Sequence, residues 1–449
     1  MLELEAAGLV VRTEEAWAFT TELVREAAAR GILGVQRRDY HRLVSEAIEA
    51  TYADHLEPWY DDLATHCALG ARWIAAARYA REAGLALEKA GRLEDARTRF
   101  QRGLTWLASA VDPDDHDARV QGEAALNLKV GSLSLLLGDT ERGMRAVTLA
   151  LDIASDANLP WIEVRAHLEL GRRYAAEGRH RLAAAHLSTA RAQAALEDDT
   201  QVELEVFEAS AALALDQGRA DEAEGLWQQV LTRAADTPTL SARCQSGLAT
   251  LWLRAGQTER AEPMLQSALD AARKAKDRIL EGRVLNNIGL VHSLSGRHDE
   301  ALVYYRRALE VREGIGYTRG MVINHHNIGD VHFQRGDYAR AHVAFQRSYE
   351  LAIQSDWERG QVLNEVFLTY LDAHFGREPA DHLEDVRRRA LALEDTTTAA
   401  TARWLRGRLH MEADELDQAA EVLHAALVEA EQLGLAPVQT LVERTLASM

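Results

Sequence analysis

From Glu281 to Gln361 the order of apolar, small and polar positions is written twice. Arg283-Val-Leu-Asn-Asn-Ile-Gly-Leu-Val-His-Ser-Leu-Ser-Gly-Arg-His-Asp-Glu-Ala-Leu-Val-Tyr-Tyr-Arg-Arg-Ala-Leu309 lies over the segment forty residues on, so that Asn287-Ile288-Gly289 falls on Asn327-Ile328-Gly329. Gly296 falls on Gly336, Ala301 on Ala341, Tyr305 on Phe345 and Ala308 on Ser348. The pattern predicts a helix, a turn at the glycine and a second, antiparallel helix. Small residues at Gly289 and Ala301 let the two helices approach closely, and the aromatic at Tyr305 fills the gap that remains. The turn glycine supplies the left-handed backbone that ends the first helix.

Carried outward, the first small position recurs at Gly84, Gly131, Gly171, Ala211, Ala249, Gly289, Gly329, Thr369 and Gly407. Turn residues follow at Gly91, Gly138, Gly178, Gly218, Gly256, Gly296, Gly336, Gly376 and Asp414. The second small position reads Ala96, Gly143, Ala183, Ala223, Ala261, Ala301, Ala341, Asp381 and Ala419. The eighth copy departs, with Asp381 and Asp385 at positions meant to be buried and Pro379 just after the turn. Its second helix is expected to be displaced by about two residues, turning Leu383, Val386 and Ala390 inward. The small-small-aromatic-small spacing resembles the tetratricopeptide repeat (TPR) in a variant near forty residues. The expectation is an all-α chain, an α-solenoid of about nine TPR-like helix pairs over residues 77–449, in which each pair packs on its neighbours.

Residues 1–35 differ in kind. Gly8-Leu-Val-Val-Arg12 and Trp17-Ala-Phe-Thr20 flank Thr13-Glu-Glu-Ala16, which predicts a β-hairpin. Leu2–Ala7 and Thr21–Gly31 read as helical, and residues 36–76 as coupling helices whose Trp59, Tyr60, Trp73 and Tyr79 form core. Trp17-Ala-Phe-Thr-Thr-Glu-Leu-Val-Arg-Glu26, Arg37-Arg-Asp-Tyr-His-Arg-Leu-Val-Ser-Glu-Ala-Ile48 and Leu63-Ala-Thr-His66 together resemble a run found in bacterial STAND-type ATPases. There an AAA-like nucleotide-binding domain leads into a winged helix and a TPR array, some members also carrying an adenylate/guanylate cyclase or a LuxR-type domain. The resemblance covers residues 1 to about 110. It implies that the hairpin is a remnant of a winged helix and that Met1 starts a truncated product, since no ATPase, cyclase or DNA-binding domain is present.

Composition narrows the chemistry. With 47% hydrophobic and 27% charged residues and seven prolines, the 449-residue chain has the balance of a folded, mostly helical protein. A net charge of −19 repels nucleic-acid phosphate, so no nucleic acid is expected to bind this chain. The basic run Arg387-Arg388-Arg389 reads as a solvated helix face. Cys67 and Cys244 lie far apart in the array, which points to a reducing compartment. No signal peptide opens the chain and no apolar run approaches ~18 residues, so a cytoplasmic location off the membrane is expected.

Catalytic motifs are missing. None of the four lysines, Lys89, Lys129, Lys274 and Lys276, follows a glycine, which excludes a P-loop. Gly314-Ile-Gly316-Tyr-Thr-Arg-Gly320 has the wrong spacing for a dinucleotide fingerprint, and neither a nucleophile elbow nor a His-Glu-x-x-His occurs. Asp112-Pro-Asp-Asp-His-Asp117 lacks the calcium-loop pattern and reads as a turn and cap within a loop spanning Ala108–Gln121; residues 195–200 and 394–401 read as similar loops. His292, His325, His326, His332, His298 and His342 form a cluster, but His292 and His332 occupy a position usually wedged between the two helices of a pair. No catalytic residue, cofactor or metal is therefore expected.

In TPR arrays the first helix of each pair lines the concave groove. Carried onto this chain, that places Arg165, Arg172, Arg243, Arg254, Arg283, Asn286, Asn287, Ser293, His326, Asn327 and Asp330 in the groove. Guanidinium and amide groups can bind a peptide backbone or an acidic side chain. Asn287 and Asn327 could instead brace adjacent repeats. The lysine–asparagine clamp of chaperone-binding TPRs is not matched: Leu290 and Asp330 stand at its asparagine place, Asn286 and His326 at its first lysine place. The expected function is a non-enzymatic sensor or interaction array that binds a protein segment, a peptide or a small inducer in its groove and regulates a STAND-type ATPase. The alternative is a free-standing adaptor, or a peptide-responsive regulator like those of the Rap type.

Overall fold

The computed structural model describes residues 34–196, 199–234, 237–377 and 382–449, together with Glu5, Ala7 and two short strands. The strands, Val10–Arg12 (β1) and Trp17–Phe19 (β2), pair antiparallel with Val10 opposite Phe19 and Arg12 opposite Trp17, as the hairpin reading expects. The helices expected at Leu2–Ala7 and Thr21–Gly31, and Pro379 and Asp381 of the irregular copy, lie outside the described residues, Glu5 and Ala7 excepted.

Twenty-one α-helices follow among the described residues. They are α1 (Gly34–Thr51), α2 (Tyr60–Leu69), α3 (Trp73–Lys89), α4 (Leu93–Leu107), α5 (His116–Leu137), α6 (Thr140–Asp156), α7 (Pro160–Ala176), α8 (His180–Leu196), α9 (Thr200–Asp216), α10 (Ala220–Arg233) and α11 (Pro238–Arg254). Then come α12 (Thr258–Ala275), α13 (Arg278–Leu294), α14 (His298–Gly314), α15 (Thr318–Gln334), α16 (Tyr338–Gln354), α17 (Glu358–His374), α18 (His382–Ala392), α19 (Thr396–Glu412), α20 (Leu416–Gln432) and α21 (Ala436–Ala447). No described helix is long and apolar enough to cross a membrane.

The chain divides into two compact units, residues 1–86 with 98–122, and residues 87–97 with 123–449. In the first, Leu63, Cys67, Ala76, Tyr79 and Ala80 form a core that Ile48, Trp59, Tyr60 and Trp106 cover. Glu49 ties its helices together, accepting from Arg72 at 2.9 Å and from the Tyr79 hydroxyl at 2.7 Å. Tyr79, Trp59 and Tyr60 thus belong to the core, as the aromatic reading expects.

The second unit is a solenoid of helix pairs. Every expected turn residue from Gly91 to Gly376 has positive φ, and Asp414 adopts the same backbone at 61°. The small positions act as contact points. A Cβ added to Gly289 would come 2.6 Å from the Tyr305 ring, and one on Gly329 2.8 Å from Phe345. Ala301 and Ala341 are fully buried on the facing helices, and Ser348 donates its buried hydroxyl to the Val322 carbonyl at 2.7 Å. In the irregular copy Leu383, Val386 and Ala390 are buried, as the two-residue displacement requires.

Three local readings change. The acidic loop is shorter than Ala108–Gln121: Asp112 accepts from the Asp114 amide, a single 3-10 turn follows, and α5 already begins at His116. The loop read at 394–401 likewise ends at Asp395, whose carboxylate caps α19 through the Thr398 amide. Of the basic run, Arg387 is not on a solvated face, because it is turned inward to bond Glu384 and Glu429, whereas Arg388 and Arg389 keep to the exposed side, where Arg389 pairs with Glu365. The frame also missed α21, an unpaired helix that packs on α19 and α20 in the place of a tenth first helix.

Candidate functional site

The first helices of successive pairs, α7, α9, α11, α13, α15, α17 and α19, present their inner faces along the solenoid. Asn286 and Asn287 sit in the middle of α13, flanked by Gly282 and Gly289, where the close approach of neighbouring helices buries both amides. Burial makes hydrogen bonding obligatory, since an unpaired amide there costs about 1–3 kcal/mol. Asn287 Nδ2 donates back to α11, to Thr250 Oγ1 at 3.0 Å and Ser246 Oγ at 3.3 Å. Asn286 Oδ1 accepts from α15, from Asn327 Nδ2 at 2.9 Å and Asn324 Nδ2 at 3.1 Å. Asn324 Oδ1 in turn accepts from Arg312 Nη1 at 2.6 Å. The amides form a polar ladder across three consecutive inner helices.

Next along the faces lies a charged group. Glu208 on α9 is buried and accepts from Arg243 on α11 and, at 3.3 Å, from Arg172 on α7. Burial alone would raise its carboxyl, but Arg243, Arg172 and Arg283 together hold it below the ordinary carboxylate range. Arg283 has no hydrogen-bond or ion-pair partner of its own among the described residues, and burial lowers its guanidinium. The expected strip of arginines therefore exists, but it is built around one buried carboxylate.

Farther on, His326 bonds Asn364 at 3.1 Å between the rings of Phe345 and Phe367, and burial drops it to about 4. It stays neutral at physiological pH. Asp330 accepts from Gln334 Nε2 at 2.7 Å, and burial pushes it up to about 6. Ser293 is buried beside Tyr305, while Arg254 donates to the Leu215 carbonyl and to Asp216. Arg165 is half-buried on α7 and makes no such contact among the described residues.

Asn286, Ser293, Asn327, Asp330 and Arg254 share one cavity of about 830 Å³. Leu253, Leu290, Leu294 and Ile323 supply its apolar surface. The opposite side comes from α21, through Pro437, Thr440, Leu441 and Arg444. A second space of about 510 Å³ continues past Asp330 and Arg444 to Tyr338, Trp404 and Arg408. Arg165, Arg172, Arg243, Arg283, Asn287 and His326 do not line these cavities. They hold neighbouring helices or lie elsewhere on the inner faces. Thr440 and Arg444 were missed because no repeat signal marks α21; the leucine, valine and proline spacing of 435–442 was the one available sign.

Of the histidines, His292 stacks on Tyr304 with ring centroids 5.0 Å apart, which is a packing role. No three metal-ligating side chains converge among the described residues.

Residues 203–274 and 280–354 match the tetratricopeptide repeat family. No curated protein matches the sequence significantly. Among solved structures, a Rap protein complexed with competence and sporulation factor superposes with TM-score 0.60 at 15% identity, covering 80% of this chain and 99% of that one. The Rap conjugation gene regulator of plasmid pLS20, in complex with the Phr* peptide, superposes with TM-score 0.54 at 16% identity over 65% of this chain and 76% of that one. A STAND protein with a TPR sensor from Pyrococcus horikoshii reaches a TM-score of 0.43 at 13% identity, over 77% of this chain and 55% of its own, too loose a likeness to carry an argument.

Proposed function

We propose that this chain is a non-enzymatic interaction array that takes a peptide or an extended protein segment in the space between α11, α13 and α15 and the final helix α21. The observation that carries the reading is the cavity of about 830 Å³, with the exposed edge of the amide ladder on one side and Thr440 and Arg444 on the other. Its size falls in the range of roughly 300–1,000 Å³ usual for ligand pockets. Asn327 offers an amide for the backbone of a segment, Asp330 and Arg444 offer opposite charges for its side chains, and the leucines take apolar groups. The Rap conjugation gene regulator, solved in complex with the Phr* peptide, supports a peptide as occupant.

A ligand gripping α13, α15 and α21 at once favours one curvature of the solenoid over others, and this is how binding would be transmitted to a partner. The sequence resemblance over residues 1 to about 110 makes a STAND-type ATPase the partner we favour. The test uses the full chain and an array of random peptides read by fluorescence anisotropy. Asn327→Ala combined with Arg444→Glu, both at cavity-facing positions, should abolish binding of peptides that the wild type holds. Undiminished binding of all of them would place the ligand elsewhere.

A further inference from the structure

Within the second unit the superhelix meets itself. The turn at Gly91 lies against Ile315, the turn at Gly138 against Ser355, and the turn at Gly178 against Leu393. Each turn thus touches the loop that follows the pair five places on. Gly218, the next in the series, has nothing within 4 Å of its would-be Cβ. At this step the seam opens into a separate cavity of about 550 Å³, lined by Asp216 and Gly434 among others.

The chemistry of this cavity is lopsided. The residues that precede α15, α17, α19 and α21, namely Tyr317, Trp357, Asp395 and Leu435, all line it. Only Asp395 caps its helix with a side chain; the other three helix starts have no side-chain cap. Helix starts carry unpaired N–H groups and partial positive charge. The facing wall holds the last residues of α7, α9 and α11, and Arg254 covers the negative end of α9 by donating to Leu215 O and Asp216.

Arg319 is the feature that points to a ligand. It is 8% exposed, yet its Nε and Nη2 have no hydrogen-bond partner. Its guanidinium lies over the Trp357 ring at 5.5 Å, and the Trp357 Nε1 is a second buried donor without a partner. Arg359 reaches Asp395 only at 3.4 Å. Asp395 is occupied by Thr398, and Asp216 by Arg254. Three guanidiniums therefore meet two carboxylates in a chain whose net charge is −19. A buried guanidinium left unpaired is costly unless something else satisfies it.

We infer that this cavity binds a small organic oxyanion carried on an apolar group, with Arg319 anchoring the charge at the convergent helix starts and Ile323, Leu363 and Val438 lying against the apolar part. Carboxylate and phosphate esters share this chemistry. The inference goes beyond the segment reading. The two cavities adjoin at Arg254, Ile323 and Pro437, but the oxyanion needs none of Asn286, Asn327 or Asp330. An anion here would bridge successive superhelical turns and so hold the pitch of the array.

The experiment is calorimetric titration of the full chain with phenyl phosphate, benzoate and phenol at constant ionic strength. Saturable binding at one site is expected for phenyl phosphate or benzoate and none for phenol, and the tighter of the two tells phosphate ester from carboxylate. Arg319→Gln should weaken it by about tenfold or more, with a smaller loss for Arg359→Gln. Arg319→Gln also removes the contact with the Trp357 ring, so the ligand-free variant should melt slightly lower than wild type, whereas the anion should raise the melting point of wild type and not that of the variant. An equal rise in melting for wild type and Arg319→Gln would overturn the inference, as would equal binding by wild type and both variants, or no saturable binding of either anion. Asn327→Ala should bind the anion normally, so failure of the segment reading remains separable from failure here.

Discussion

Replacing Asn286 by Ala removes the carbonyl that accepts from Asn324 at 3.1 Å and from Asn327 at 2.9 Å. The two losses are unequal. Asn324 is fully buried and lies away from the cavity, so its Nδ2 is left without an acceptor, at about 1–3 kcal/mol. Asn327 lines the cavity, where water can take over the lost bond at little cost. The bond from Asn286 to Asn287 is 3.4 Å long and adds little. The expected net loss is about 1–3 kcal/mol, concentrated at α13 and α15 because a solenoid sums nearest-neighbour terms. This reverses what the groove reading of the sequence implies, namely that Arg283→Ala with Asn286→Ala would leave the melt nearly unchanged. Native-state hydrogen exchange on wild type, Asn286→Ala, Asn324→Ala and the double variant gives the coupling directly. A coupling of about 0.5–3 kcal/mol is expected for contacting residues. Additive single effects, with exchange over α13 and α15 unchanged in Asn286→Ala, would refute the ladder.

Ala301→Leu should overpack a fully buried helix contact and cost about 1–3 kcal/mol, whereas Glu310→Leu on the exposed face should cost little; equal shifts in melting would contradict the repeat frame. Burial raises Asp330 to about 6, so the folded chain binds its proton more tightly than the unfolded one, and this group's contribution falls as pH rises from about 4 to about 6. Asp330→Asn should accordingly raise stability at pH 7 in urea melts, and no gain would show that the cavity keeps this half-buried carboxylate solvated. His326 acts in the other direction: burial lowers it to about 4, so stability is lost as pH falls from about 6.5 toward 4, and His326→Asn should flatten that acid limb. Cys244 is buried and its thiol is pushed up to about 12, so in the native chain at pH 8 it should resist a colorimetric thiol reagent and react only after denaturation.

The helix pairs were legible because their signals are local. A glycine seven residues beyond a small residue marks a turn whichever repeat it belongs to, and Gly91 to Gly376 all adopt the backbone that this requires. Even the irregular copy could be corrected from Leu383, Val386 and Ala390, since an amphipathic helix tolerates only one inward face. The inner-face arginines and amides were legible as positions but not as partners. Asn286 reads as a groove residue by register, yet its acceptor is used by two asparagines of the next repeat. Arg243 and Arg172 read as free cations, yet both converge on Glu208, a residue that no groove pattern singles out.

The sequence by itself determined the solenoid: which residues turn, which small residues let helices touch, and which helix of each pair faces inward. Only the tertiary structure decided that Arg319 and Trp357 share a cavity with Asp216 and Gly434, and that α21 closes the space beside Asn327 and Asp330. Small rotations between repeats accumulate into a pitch, and the pitch brings together residues more than a hundred positions apart. No spacing within a single repeat encodes that sum, so the sites it creates appear only once the array has wound past itself.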